Sequence, residues 1–282
     1  EIDPTGDVAN SLRHNSHRAY VCRDKAGQRL DGAYTFALNT ESHRTIRDYS
    51  TYSKRVLKPS VMGEFLNLYG RRILDFGGGH GDSVACLKHL GLEADLFEPY
   101  HVPPGEALPN LEASRGYCAA VLKKVAAGYC WTTIGTSAVL NSIPFAEDRR
   151  HVMTLVAALS VGGACTTSFF ATCRSAAQDQ WLEDAVKSKR GRFAPSAATT
   201  SGSFLLEGEK NKTLGTGKAP KVQKFFTVDE VKDLLDPLWR EVRISRTGDS
   251  YLGIICKQAR PIAQSALQRA IEFEFSLPYP NG

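Results

Sequence analysis

From residue 72 the order of apolar and polar positions becomes regular. Ile73, Leu74 and Phe76 form a short apolar run around one acid, Asp75, and glycines follow at 77, 78, 79 and 81. Val84, Leu87 and Leu90 then recur at helical spacing, and Gly91 is placed to stop that helix. Ala94 to Phe97 reads as a second strand, closed by Glu98 and Pro99. Strand, glycine turn, helix, strand predicts a βαβ unit of about thirty residues.

Further along, Ala119 to Val125 fits either a strand or a short helix. Tyr129 to Ile134 reads as a strand, and Ser137 to Ile143 as the turn after it. Ala146 to Leu159 has the helical period, with Glu147 and Asp148 in its first turn, where the helix dipole favours them. Gly162 and Gly163 end that helix, Ala164 to Ala171 makes another strand, and Asp179 to Val186 is expected to be helical. Thr227, with Glu230 three residues on, predicts a capping box and a helix to Leu235. Val242 to Ser245 and Tyr251 to Cys256, joined through Thr247, Gly248 and Asp249, predict an antiparallel hairpin. Upstream, Tyr34, Phe36 and Leu38 alternate as in a short strand. Pro59 and Ser60 open a helix whose apolar positions lie in Val61 to Tyr69. The chain shows no internal repeat. It divides into an N-terminal extension or lid (1–60), a core domain (61–257) and a C-terminal tail (258–282). Within the core, residues 187–224 read as an extended basic insertion with at most a short hairpin around Phe204 to Leu206.

Composition narrows the class. A chain of 282 residues, 42% hydrophobic and 23% charged, fits one large globular domain with an extension and excludes a disordered or collagen-like chain. No stretch approaches the roughly 18 uninterrupted apolar residues of a membrane span, so no membrane partner is expected. The polar first residues show no signal peptide, and opening on Glu1 is expected of a processed chain or a piece of a longer one. The net charge of +5 permits an anionic partner without demanding one. Seven cysteines without a CxxC pair are expected to be reduced thiols of an intracellular, cytoplasmic protein. No metal is expected, because the close pair His14 and His17 has no cysteine pair at ligand spacing.

The strongest chemical signal is Asp75-x-Gly77-x-Gly79-x-Gly81. Glycines there permit positive φ and close approach of a ligand to the backbone. Glu98, seventeen residues after Gly81, closes the next strand, where a carboxylate can accept hydrogen bonds from both hydroxyls of a ribose. A purely structural turn is the plain alternative, but these glycines also follow a strand, open a helix and precede a strand that ends in an acid. Dinucleotide-binding proteins share this architecture and rest a pyrophosphate on the helix N-terminus.

With the acid two positions before the first glycine, the segment resembles motif I of the class I S-adenosylmethionine (SAM)-dependent methyltransferases. The resemblance implies a Rossmann-like α/β sheet, mostly parallel with an antiparallel terminal hairpin. It implies SAM as cofactor, Asp75 near its amino-acid end, Phe76, Gly77, Gly78, Gly79, His80 and Gly81 packed on its adenosine and methionine parts, and Glu98 on the ribose beside Pro99 and Tyr100. Trp131 to Asn141 is similar to the family's fourth strand and following turn, which adds Thr136 and Ser137 to the cofactor residues. The helix from Ala146, then Phe225 to Leu235 and the hairpin to Cys256, extend the likeness over residues 60–257. Glu98-Pro99-Tyr100-His101, with Val139-Leu140-Asn141, is similar to methyltransferases of bacterial DNA-modification and defence loci.

Some family features are missing. Thr132 or its neighbours stand where many members carry an acid at the end of the fourth strand. No Asp or Asn is followed by Pro-Pro and an aromatic residue, and Asn141-Ser142-Ile143-Pro144-Phe145 has one residue too many. No Pro-Cys pair is present, and Val139 stands where a nucleophile elbow from Thr136-Ser137-Ala138 would need glycine.

A sulfonium methyl is already activated, so the protein's task is to align an acceptor and exclude water. A general base helps when the acceptor is a hydroxyl or protonated amine. His101 and Asn141 are the candidate catalytic residues. His101 fits the adenine pocket as well, and His80 fits simple tolerance of the loop conformation. Tyr49 and Tyr52 fit either a lid or helix packing. Nine cations within residues 187–224, with Phe193 and Phe204 for stacking, fit a nucleic-acid backbone as partner, or a solvated loop. Nucleic acid is therefore the leading acceptor. The alternatives are a small-molecule or protein acceptor, and a catalytically silent SAM-fold module of a larger assembly or viral polyprotein. A nicotinamide dehydrogenase is a more distant option.

Overall fold

The computed structural model describes residues 2–4, 20–22, 63, 66–78, 81–99, 101, 110–137, 139–143, 146–161, 166–175, 195–198, 203–206, 221–247, 251–263 and 265. The strand expected around Tyr34, the helix over Asp179 to Val186 and most of the C-terminal tail lie outside them. Near the N-terminus, β1 (Ile2–Pro4) and β2 (Tyr20–Cys22) pair antiparallel.

The predicted βαβ unit is present as β3 (Arg72–Phe76), α1 (Asp82–His89) and β4 (Glu93–Phe97). α2 (Leu111–Ala126), β5 (Thr133–Ser137), α3 (Ala146–Ser160) and β6 (Ser168–Arg174) follow. After the insertion come α4 (Val228–Leu235), β10 (Trp239–Thr247) and β11 (Tyr251–Ala259). The central sheet has the order β10-β11-β6-β5-β3-β4. β3, β4, β5 and β6 run parallel, and the β10–β11 hairpin adds antiparallel to β6. This is the Rossmann-like sheet with an antiparallel terminal hairpin that the resemblance implied.

Local chemistry explains the element ends. Gly91, at φ +77°, closes the turn after α1 by donating to Lys88 O. The Asn110 side chain caps α2 by accepting from Ala113 N at 2.9 Å. Thr227 and Glu230 form the predicted capping box on α4.

Alternation along the strands sends residues to two cores. Leu74, Phe76 and Phe97 face α2 and α3, joining Val121, Val152, Val156 and Phe169, while Ile73, Ala94 and Leu96 pack with Val84 and Leu87 of α1. Full burial of each large apolar side chain contributes about 1.5–3 kcal/mol.

Several expectations shift. The ambiguous stretch from Ala119 belongs to the long helix α2. β5 starts at Thr133, four residues later than Tyr129. Thr132 therefore lies at the amino edge of the sheet, not at the strand's carboxyl end. There its hydroxyl donates to Tyr69 O or Arg72 O and accepts from Arg72 N at 3.1 Å. The insertion holds more than a short hairpin: β7 (Pro195–Ala198), β8 (Ser203–Leu206) and β9 (Lys221–Lys224) form a three-stranded antiparallel sheet. Cys118, Cys173 and Cys256 are buried thiols outside any disulfide, and burial pushes those of Cys173 and Cys256 up to about 12. Cys130 departs from the expectation of reduced thiols: it is disulfide-bonded. Among the described residues no helix is long and apolar enough to cross a membrane.

Candidate functional site

β3 leads across the sheet to β4 on one side, and β5 leads to β6 on the other. The order of the sheet reverses between β3 and β5, and in open α/β sheets the crevice at the carboxyl ends of such strands is where ligands bind.

The turn after β3 occupies one side of that crevice. Gly77 has φ +72° and Gly81 φ +80°, left-handed conformations that a side chain resists. Gly77 N–H donates to Phe97 O at 2.8 Å, which ties the turn to the end of β4. Gly81 N–H donates to Gly78 O at 2.9 Å, and Gly81 O accepts from Ala85 N, which starts α1. Gly78 is required for another reason: a Cβ there would run into the Asp75 carboxylate and lie 2.7 Å from Leu96 Cδ1. A Cβ on Gly77 would lie 2.9 Å from Val139 Cγ2. The glycines thus let the Asp75 carboxylate and the turn after β5 close on the backbone.

At the end of β4, Glu98 is buried at 7% exposure and Pro99 is buried beside it. His101 follows at 5% exposure. Its N–H donates to Ser114 Oγ at 2.8 Å, its carbonyl accepts from Asn110 N at 2.9 Å, and its ring meets Tyr117 edge-on with centroids 4.9 Å apart. His101 is thereby held against the first turns of α2. Ser114 and Tyr117 went unread in the sequence, although both lie on the helix that directly follows the Glu98 segment.

On the other side of the crevice, Thr136 is buried near the end of β5 and Ser137 is its last residue. A 3-10 turn (Leu140–Ser142) carries Asn141, itself buried. The structure therefore brings Asp75, Phe76, Gly77, Gly78, Gly81, Glu98, Pro99, Thr136, Ser137 and Asn141 to one edge of one sheet. Gly79, His80 and Tyr100 lie outside the described residues.

Sequence reasoning also missed a buried arginine. Arg149, in the first turn of α3, is 5% exposed and donates from Nη1 to Ile143 O at 2.8 Å, at the end of the turn that carries Asn141. Its guanidinium carbon lies 5.7 Å from the centroid of Phe226. The signal was available: Arg149 stands three, four and seven residues before Val152, Met153 and Val156, on the apolar stripe of α3. Lys224 belongs to the same group. It is 7% exposed, pairs with Glu230 Oε1 at 2.6 Å and lies 5.4 Å from the Phe226 centroid. One of the nine cations assigned to phosphate binding is thus committed inside the protein.

No family model matches the chain, and no curated protein matches it. Solved structures do. The CcbJ methyltransferase from Streptomyces caelestis is 14% identical, with a TM-score of 0.40 over 69% of this chain and 86% of that one. A SAM-dependent methyltransferase from Clostridium acetobutylicum is 8% identical, with a TM-score of 0.42 over 77% of this chain and 100% of that one. The glycopeptide N-methyltransferase MtfA, in complex with S-adenosyl-L-homocysteine, is 11% identical, with a TM-score of 0.40 over 71% and 89%. These are likenesses of overall arrangement, and the reading of the site rests on this chain's own strand order and turns.

Proposed function

We propose that the chain is a SAM-dependent methyltransferase acting on nucleic acid. The observation that carries the cofactor assignment is the pairing, at the switch point of the sheet, of a turn with two left-handed glycines and a buried acid at the end of the adjoining strand. When bound, SAM supplies an activated methyl group. Glu98 would accept from the ribose hydroxyls. The Gly77–Gly81 turn would offer its backbone, and Asp75, folded over Gly78, would face the cationic amino-acid end. Packed on α2, His101 is better placed to line the adenine end than to travel as a base. Asn141 offers an amide donor and acceptor to orient the acceptor atom, while Val139 and Leu140, both buried, help exclude water.

The acceptor assignment rests on the basic composition of residues 187–224. The burial of Lys224 removes one cation from that surface and favours a small-molecule acceptor as the second reading. The test is calorimetric titration with S-adenosylhomocysteine. Binding is expected for the intact chain and should weaken about tenfold to hundredfold in Asp75→Ala and in Glu98→Ala, since each loses hydrogen bonds to a charged group. A folded sample that does not bind sinks the methyltransferase reading. Oligonucleotide binding that falls steeply with salt selects nucleic acid over the small molecule.

A further inference from the structure

Among the described residues the insertion sheet β7-β8-β9 shares no ladder with the central sheet. β9 packs on the 3-10 turn that carries Asn141. After β9 the chain re-enters the domain at its carboxyl edge, where Phe226 N–H donates to Arg174 O at 2.8 Å and Phe226 bridges to Ser175, just beyond the end of β6.

Two buried cations meet at this junction. Arg149 reaches from α3 to the ring of Phe226 and holds Ile143 O. Lys224, the last residue of β9, meets the same ring and is anchored by Glu230, whose other oxygen accepts from Thr227 N at 2.8 Å. Burying lysine and arginine is unfavourable compared with burying apolar residues of similar size, and what such groups contribute is a single defined geometry.

We propose that the insertion sheet is the acceptor-recognition element of the transfer site, and that Arg149 and Lys224, flanking Phe226, fix it beside Asn141. The ligand class is single-stranded nucleic acid, because residues 187–224 combine cations for a phosphate backbone with Phe193 and Phe204 for base stacking, and the inference rests on the methyltransferase reading above. The clasp residues are positioning residues. They join the sheet to the turn after β5, which in turn touches Gly77 through Val139.

The experiment uses the full chain and two probes, S-adenosylhomocysteine by calorimetry and a fluorescein-labelled single-stranded 20-mer by anisotropy at low salt. Phe226→Leu and Arg149→Met should weaken the oligonucleotide at least about fivefold, the scale of a cation–aromatic contact, and leave S-adenosylhomocysteine affinity within about twofold. Phe226→Tyr, which keeps the ring, should retain oligonucleotide binding, and it is the loss of oligonucleotide binding with S-adenosylhomocysteine affinity kept that a general loosening of the fold would not give. Circular dichroism checks that each variant folds, and Lys224→Met provides the same test from the insertion's own side if Arg149→Met does not. Unchanged oligonucleotide affinity in the folded variants overturns the inference. So does an intact chain that binds S-adenosylhomocysteine but no oligonucleotide. Failure to bind S-adenosylhomocysteine overturns the methyltransferase reading itself, so the two failures are distinguishable.

Discussion

The two edges of the central sheet are built differently. At the amino edge the polar groups answer one another. Asp95 takes Lys124 at 2.6 Å and the Trp131 indole N–H at 2.8 Å. The Tyr129 hydroxyl donates to Glu93, and its ring lies between Arg72 and Lys124. Burial, then the bond to Glu93, holds that phenol above its ordinary range. Thr133 donates to Tyr69 O at 2.7 Å. At the carboxyl edge the backbone itself is shaped, with left-handed Gly77 set against Val139 and Gly78 set against Asp75, and Glu98, Thr136 and Asn141 are buried there. A polar residue near a strand end is therefore informative only once its edge is known. Thr132 shows the danger, since its sequence neighbours suggested the functional edge and its hydrogen bonds place it on the structural one.

Two glycines of nearly equal φ give the sharpest way to break this contrast. Gly77, at +72°, faces Val139, whereas Gly91, at +77°, has nothing within 4 Å of its would-be Cβ. Gly91→Ala should cost about 1–2 kcal/mol from left-handed strain alone. Gly77→Ala adds overpacking of about 1–3 kcal/mol and should abolish S-adenosylhomocysteine binding, which Gly91→Ala keeps. Urea denaturation and calorimetry on both proteins decide it; equal costs with equal binding would erase the distinction between the edges. Next in size, Asp95→Ala leaves the Trp131 N–H and Lys124 without their acceptor and should cost about 1–3 kcal/mol, with cofactor affinity unchanged.

The smallest effect concerns acid. Burial alone would raise the Glu230 carboxyl, but the hydrogen bonds from Lys224 and Thr227 outweigh it and hold the group below its ordinary 4.5. A lowered carboxylate stabilises the fold above the unfolded value, and that contribution is lost as pH falls through the folded one. The stability advantage of the intact chain over Glu230→Gln should therefore be level above 4.5 and shrink below it. With the Glu230 side chain 44% exposed, solvent screening keeps the difference small.

How far the sequence could be read follows the same physics. The βαβ unit was legible because its apolar runs, glycines and closing acid are local signals, and the capping box on α4 is equally local. β5 was misplaced because Tyr129 and Trp131 look like strand residues, yet Trp131 is spent on Asp95 before the strand begins. The insertion sheet was underestimated because small and polar residues give no alternation. Arg149 was passed over because Ala146 to Arg150 reads as a solvated first turn, and only its register with Val152 and Met153 marks it as buried.

The strand order has a consequence for how copies of the chain meet in solution. Among the described residues β4 and β10 are the outermost strands of the central sheet, and exposed strand edges invite pairing with another molecule. Both are guarded by charge: β4 carries Glu93 and Asp95, and β10 carries Arg240, Glu241, Arg243 and Arg246. Beside β10, Gln258 adopts φ 57° and its side chain donates to Glu241 at 3.0 Å, a local irregularity in the hairpin's outer half. The same sheet that opens a crevice along one end of its strands thus carries, on both outermost described strands, charge of the kind that disfavours edge-to-edge pairing.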